Sequence, residues 1–289
     1  MNLLAKWVMG GPLQALAAAA LLAMLPGLGW ASAAVVALVA LRKNASEAAI
    51  PFGGALLVAV LVHWAAGDIT QAGTVMAALL AGLVLANTRS LFWALLAAGV
   101  GSVLYMVLVL SLAPDKITVL VELLQPAFDD VMVELKKANP EADAMFEQYD
   151  ARQVVLEMMA WAITLGATAA LLVARWLQAR LYNPGGFRRE FHSLRMAPMA
   201  AVGIALVLWL SQNYPQARLA LPCVTVPALM AGLGLMHGLL GSKPNNGPLL
   251  TFFYVGLVIF SWLGVMVLIS VAAIDSFVDF RNRIQKRYE

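Results

Sequence analysis

Apolar residues in this chain come in long runs, set apart by short clusters of glycine, proline and charge. Residues 12–41, PLQALAAAALLAMLPGLGWASAAVVALVAL, carry no charged side chain at all. Further apolar runs follow at 50–66, 70–87, 91–113, 153–178, 197–212, 219–240 and 248–274. A helix needs about 20 apolar residues to cross roughly 30 Å of hydrocarbon, so each run reads as a membrane-embedded helix. Several are shorter than that and have to tilt or shelter among neighbours. Pro26, Gly27 and Gly29 divide the first stretch into 12–25 and 27–41, either by a tight turn between two short helices or by a kink in one long helix.

The charged loops order these runs across a membrane, because cytoplasmic connections are enriched in lysine and arginine. Arg42, Lys43 and Arg89 point inward, and so does RWLQARLYNPGGFRREFHSLR, with five arginines against the single acid Glu190. Residues 114–152 hold nine acids and four bases and belong outside. Strict alternation then leaves the tail outside, yet from Arg281 onward it has four bases and one acid. A break of 248–274 near Ser261 to Gly264 resolves the conflict, and the same logic at Pro26 brings the N-terminus inside. The expected architecture is all-α, a polytopic helical bundle of about 8 to 10 segments, several of them short. It lies in the bacterial inner membrane with both termini cytoplasmic.

The acidic segment differs in its periodicity. Val121, Leu124, Phe128, Met132 and Leu135 recur every three or four residues, as in an amphipathic helix. Pro126 is expected to bend or restart it, and Asn139 with Pro140 to stop it before a second short helix. This periplasmic hairpin, 114–152, separates N-terminal membrane helices (1–113) from C-terminal ones (153–289). Leu124, Phe128, Met132 and Leu135 are its candidate partner contacts; resting on headgroups is the plainer use, although its acidity opposes tight binding to anionic lipid.

Composition agrees: 62% of the 289 residues are hydrophobic and 12% charged, against about a quarter charged in soluble domains. The net charge of +3 comes from lysines and arginines beside apolar runs, which argues for membrane lipids as neighbours and against nucleic acid. Cys223 has no partner cysteine and reads as a small hydrophobe. The N-terminal run resembles a signal peptide, but the apolar segment directly after it favours a retained first span.

Little in the sequence speaks for catalysis. It has no phosphate-binding loop with its lysine, and His63, His192 and His237 fall on different elements, a poor basis for a metal site. No enzyme activity, cofactor or metal is expected. Ionisable groups inside a membrane are costly, which singles out Glu157 near the start of its span and His63 with Asp68 at the outer end of another. Together with Trp64, Gln153 and Trp161 they are candidates to line an outward solute pocket; snorkelling to the interface is the plainer account. On the inner side Asp275 and Asp279 are four residues apart, with Arg283 four further on, and suit a salt-bridge ladder at a water-exposed helix end. Asn183, Arg188, Arg189, Arg195 and Arg281 join them as candidate contacts for partners or lipid headgroups, with positive-inside anchoring as the simpler explanation.

Three stretches, LYNPGGFRREFHSLRM, ALMAGLGLMHGLL and AAIDSFVDFRNRIQKR, together resemble the YybS-like family of bacterial membrane proteins over roughly residues 150 to 285. The acidic outer hairpin departs from it. That resemblance implies a distant similarity to the substrate-binding S components of energy-coupling factor transporters, in which a membrane coupling protein and ATPases drive release of a small solute. The same broad fold occurs in the cell-shape protein MreD, which works as a scaffold. Solute uptake with energising partners is therefore the first expectation, and a non-transporting scaffold for cell-envelope proteins the alternative. Lipid handling or an unrecognised membrane enzyme stands behind both.

Overall fold

The computed structural model describes residues 2–64, 67–139, 150–241 and 246–285. Every regular element among them is helical. The order is α1 (Asn2–Val8), α2 (Pro12–Met24), α3 (Gly29–Arg42), α4 (Ala45–Val58) with a π-helical continuation (Ala59–Trp64), α5 (Thr70–Thr88), α6 (Leu91–Leu112) and α7 (Pro114–Ala138). It continues with α8 (Ala151–Tyr182), α9 (Gly186–His192), α10 (Pro198–Asn213), a 3-10 turn (Pro215–Ala220), α11 (Leu221–Leu240), α12 (Asn246–Val278) and α13 (Phe280–Gln285). Six of the described helices are long and apolar enough to cross a membrane. The structure is that of a multi-pass membrane protein.

The stretch at 12–41 folds as two helices and a turn. Gly27 takes the left-handed backbone conformation that only glycine adopts freely. The Ser32 hydroxyl donates to the Ala19 carbonyl at 2.7 Å, so α2 and α3 run antiparallel. Helix α3 is the centre of the bundle, packed on α2, α4, α5 and α8, with Ser32 through Ala40 all buried. Small side chains allow this. A β-carbon on Gly101 would sit 2.9 Å from the Ala77 Cα, and one on Gly99 would sit 2.4 Å from the Cys223 Cα. Backbones this close gain dispersion contacts, the main attraction between helices in lipid.

Contacts sort the connections into two ends. At one end Gln178 donates to the Leu41 carbonyl at 3.3 Å, the Arg42 guanidinium lies 4.3 Å over the Tyr182 ring, and Ser90 shares a pocket wall with Arg195 and Ser276. At the other, the Tyr105 hydroxyl donates to the Ile69 carbonyl and Gln153 to the Pro215 carbonyl at 2.8 Å. The arginine-rich connections thus gather at one end, and α7 leaves the bundle from the other.

The last apolar run decides where the tail goes. Ser261 has φ 42 and ψ −116, a non-helical conformation within α12. Residues seven apart in a straight helix are separated by about 10.5 Å along its axis. A β-carbon on Gly264 would nevertheless lie 3.5 Å from the Leu257 Cα. The two halves are therefore antiparallel legs of a hairpin with its tip at Ser261. Consistently, both ends reach one place: Tyr254 touches His237 at 2.7 Å, and the Arg281 Nε lies 3.3 Å from a β-carbon built on Gly238. The described tail returns to the basic end, where α2 also begins.

Helix α7 runs through Pro126 without restarting, against the expected break. It ends at Ala138, as Asn139 and Pro140 foretell. The expected second helix of the outer hairpin falls on 140–149, outside the described residues.

The fold of α12 has a direct check. With Cys223→Ala as background, Leu257→Cys and Gly264→Cys should form a disulfide on mild oxidation, read as protection from a maleimide mass tag. A straight helix would leave both thiols open to the tag.

Candidate functional site

At the basic end, α12 stops because Asp279 adopts a left-handed conformation (φ 54), which turns the chain into α13. Asp275 is 2% exposed. Its Oδ1 accepts from the Phe280 amide at 2.8 Å and its Oδ2 from the Arg281 guanidinium at 2.9 Å. Arg281 in turn donates to the Leu194 carbonyl at 2.9 Å. Asp279 accepts from Arg195 at 2.9 Å and from the Asn282 side chain at 2.6 Å. Arg195 also donates to the Asp275 and Ser276 carbonyls at 3.0 and 3.1 Å, covering acceptors that the end of α12 would leave open. These groups clasp the hairpin to the loop between α9 and α10.

The clasp corrects the expected ladder. Asp275 is buried instead of sitting at a water-exposed helix end, and the turn at Asp279 takes Arg283 off the shared face. Arg283 donates to the Val278 carbonyl at 3.0 Å. Arg195 and Arg281 take its place. Burial draws the Arg281 pKa downward, and the nearby Asp275 and Asp279 carboxylates oppose that.

Around the clasp, Gly185 (φ 79) turns the chain from α8 into α9, with the Asn183 amide packed against Gly186. Arg175 pairs with Glu190 at 2.6 Å. Burial raises the Glu190 pKa, and that pairing counteracts it. Arg188 donates to the Gly241 carbonyl at 3.3 Å, and both Arg188 and Arg189 are exposed.

The histidines are a finding that sequence did not supply. His192 and His237 come together, ring centroids 5.9 Å apart, and the His237 Nε2 meets the Tyr254 hydroxyl at 2.7 Å. Burial, then Arg188 and His237, push the His192 pKa down. No group of three or more metal-binding side chains forms among the described residues. Beside this cluster a cavity of about 470 Å³ opens between the α12 legs and α11, walled by Met236, Phe253, Gly256, Leu257 and Leu268 among others.

The outer candidates fall in two places. The Gln153 amide donates to Glu157 at 2.9 Å, and Arg218 approaches the same carboxylate at 4.0 Å. Glu157 thus anchors α8 to the α10–α11 connection, with half-buried Trp161 one turn further along α8. Asp68 accepts from the Thr70 amide and hydroxyl at 2.9 and 2.6 Å, a local turn just before α5. It borders a cleft of about 560 Å³ with Lys116, Leu120 and Leu123, a lining without Gln153, Glu157 or Trp161. The side chains of His63 and Trp64 lie outside the described residues.

Breaking the clasp should be costly, because losing one partner of a buried pair leaves the other charged and unsolvated. Asp275→Ala and Arg281→Ala are each expected to lower stability by about 3 to 5 kcal/mol in reversible detergent unfolding. The double variant should cost much less than the sum of the two. Full additivity would deny the pairing.

The chain matches no protein-family model, no curated protein and no solved structure.

Proposed function

We propose that this chain is a bacterial inner-membrane protein without enzymatic activity that serves as a docking scaffold for another cell-envelope protein. Ten segments lie in the membrane: α2 to α6, α8, α10, α11 and the two legs of α12. The basic end is cytoplasmic on the positive-inside argument. Helix α7 is then periplasmic, and it carries the reading. It packs on α8 and α6, and Ile117 is its one residue classed as buried. Val119, Leu123, Val131 and Leu135 are spaced at multiples of four and exposed, Leu123 at 73%. Apolar surface of this extent in water marks a binding face.

The occupant we assign to it is a helix of a partner protein with apolar residues flanked by lysine and arginine. The stripe is edged by Glu122, Asp129, Asp130 and Glu134, which complement such a helix and are repelled by anionic headgroups. A photo-crosslinker at Leu123 or Val131 should give one discrete protein adduct in intact cells. Asp129→Lys with Asp130→Lys should weaken that adduct about tenfold, the effect of roughly 1.4 kcal/mol. Adducts to lipid alone, or an adduct indifferent to charge reversal, would contradict the assignment. Leu123→Cys, again with Cys223→Ala, should react with an impermeant maleimide added outside spheroplasts; protection there would reverse the orientation.

Solute binding of the S-component kind is the second reading, with a coupling protein and ATPases as partners. The cleft under α7 favours it. Its 560 Å³ fall within the range of about 300 to 1,000 Å³ typical of small-molecule sites, and Asp68 and Lys116 offer opposite charges at its rim. Native mass spectrometry of protein extracted with its membrane should then show a small-molecule adduct that disappears in Leu120→Trp, which fills the cleft. An adduct retained in that variant would place the ligand elsewhere.

A further inference from the structure

The α12 hairpin is unusual in what it leaves uncovered. Its neighbours are α11 and, more weakly, α10, while Phe252 and Val258 are 75% and 78% exposed. In a membrane that exposure faces lipid and needs no partner. The cavity between the legs is different. It is concave, about 470 Å³ in volume, and all the side chains that line it are apolar. A ligand held there keeps its polar part elsewhere. Two of the lining residues point to where: Met236 precedes His237, and Phe253 precedes Tyr254. The Tyr254 ring lies 5.1 Å from that of the lining Phe253 between centroids, so the hydrogen-bonded pair His237 and Tyr254 borders the groove. Arg188 is at the basic end through its bond to Gly241, His192 is 5.9 Å from His237 between ring centroids, and Arg281 lies beside Gly238. The described carboxylates at this end are already matched, Glu190 with Arg175, Asp275 with Arg281 and Asp279 with Arg195. Arg188 forms no ion pair among the described residues, so positive charge is left over at this end.

We propose that the groove between the legs of α12 binds the acyl chain of an anionic phospholipid of the cytoplasmic leaflet, with the headgroup phosphate held by Arg188, His237 and Tyr254. The apolar wall recognises the chain through contact and exclusion of water, and it does not discriminate between lipids. The guanidinium and the one donor that the His237–Tyr254 hydrogen bond leaves free select the anionic headgroup by charge-assisted hydrogen bonds. The start of α12 lies at the same end and adds the partial positive charge of a helix N-terminus. Bulk lipid filling the groove would show no such selection, which separates a site from ordinary solvation.

The test uses the full chain in nanodiscs of equimolar phosphatidylglycerol and phosphatidylethanolamine, with native mass spectrometry counting the lipids retained. One phosphatidylglycerol should stay bound in preference to phosphatidylethanolamine. Gly256→Leu projects into the groove from a position where a β-carbon meets nothing within 4 Å, and should reduce that retention about tenfold. If Gly256→Leu lowers the melting temperature, Val267→Trp fills the same groove from the other leg. Arg188→Ala with His237→Ala should abolish the preference between the two lipids. Equal retention of both lipids by the unaltered chain, or undiminished retention in the filled-groove variants, would overturn the proposal. So would displacement of the lipid by millimolar inorganic phosphate, since that would mean the headgroup cluster binds without the groove.

Discussion

Close backbone approach along α3 is the constraint from which the rest of the bundle follows. Apolar side chains gain little by leaving lipid tails for one another, so helices in a membrane associate where small residues let their backbones touch. Helix α3 supplies such a surface in Ser32, Ala33, Ala34, Ala37 and Ala40, all buried. A β-carbon on Gly82 of α5 would lie 3.2 Å from the Ala37 Cα. The same device repeats outward, from Ala77 to Gly101, from Gly99 to Cys223 and from Gly232 to Leu268. Each contact fixes the next helix, and the α12 hairpin comes last, held along one side.

Because the hairpin has so few neighbours, the polar clasp at its base matters more than an ion pair usually does. Buried pairs contribute little net stability, since desolvation offsets most of the attraction. They do specify geometry. Asp275 can be accommodated only where the Phe280 amide and Arg281 converge, and Arg281 reaches it only from a chain turned at Asp279. Arg195 then joins the turn to the α9–α10 loop. Hairpin, tail and loop become one unit, which also sets the edge of the groove near His237.

The two ends of the molecule differ accordingly. At the basic end every described carboxylate of the C-terminal half has an arginine partner, and positive charge remains over. At the other end α7 carries acids with an apolar stripe between them and is buried only near its base. An acidic, apolar helix on one side and a basic, apolar groove on the other suit two different kinds of neighbour, a protein helix and an anionic lipid.

Read alone, the sequence was enough for the class, the positions of most helices, the gathering of the basic connections at one end and the need for a reversal near Ser261. These properties are local or additive: hydrophobic runs of a given length, glycine and proline at breaks, and lysine and arginine counted loop by loop. The amphipathic character of α7 was legible for the same reason, but its exposed face was not: Val121, Phe128 and Met132 are half-buried, and of the expected contacts only Leu135 belongs to the stripe of Val119, Leu123, Val131 and Leu135. Which polar groups meet is set by tertiary packing. The ladder expected from Asp275, Asp279 and Arg283 assumed a continuing helix, and one left-handed residue replaced Arg283 with Arg281. Glu157 and Asp68 lie near the same end of their spans, yet they stand with different partners. His237 and Tyr254 are 17 residues apart and carry no mutual signal, and their contact exists because α12 begins beside the end of α11. Such pairings depend on how helices rotate and cross, which side-chain packing sets across the whole bundle and no single segment encodes.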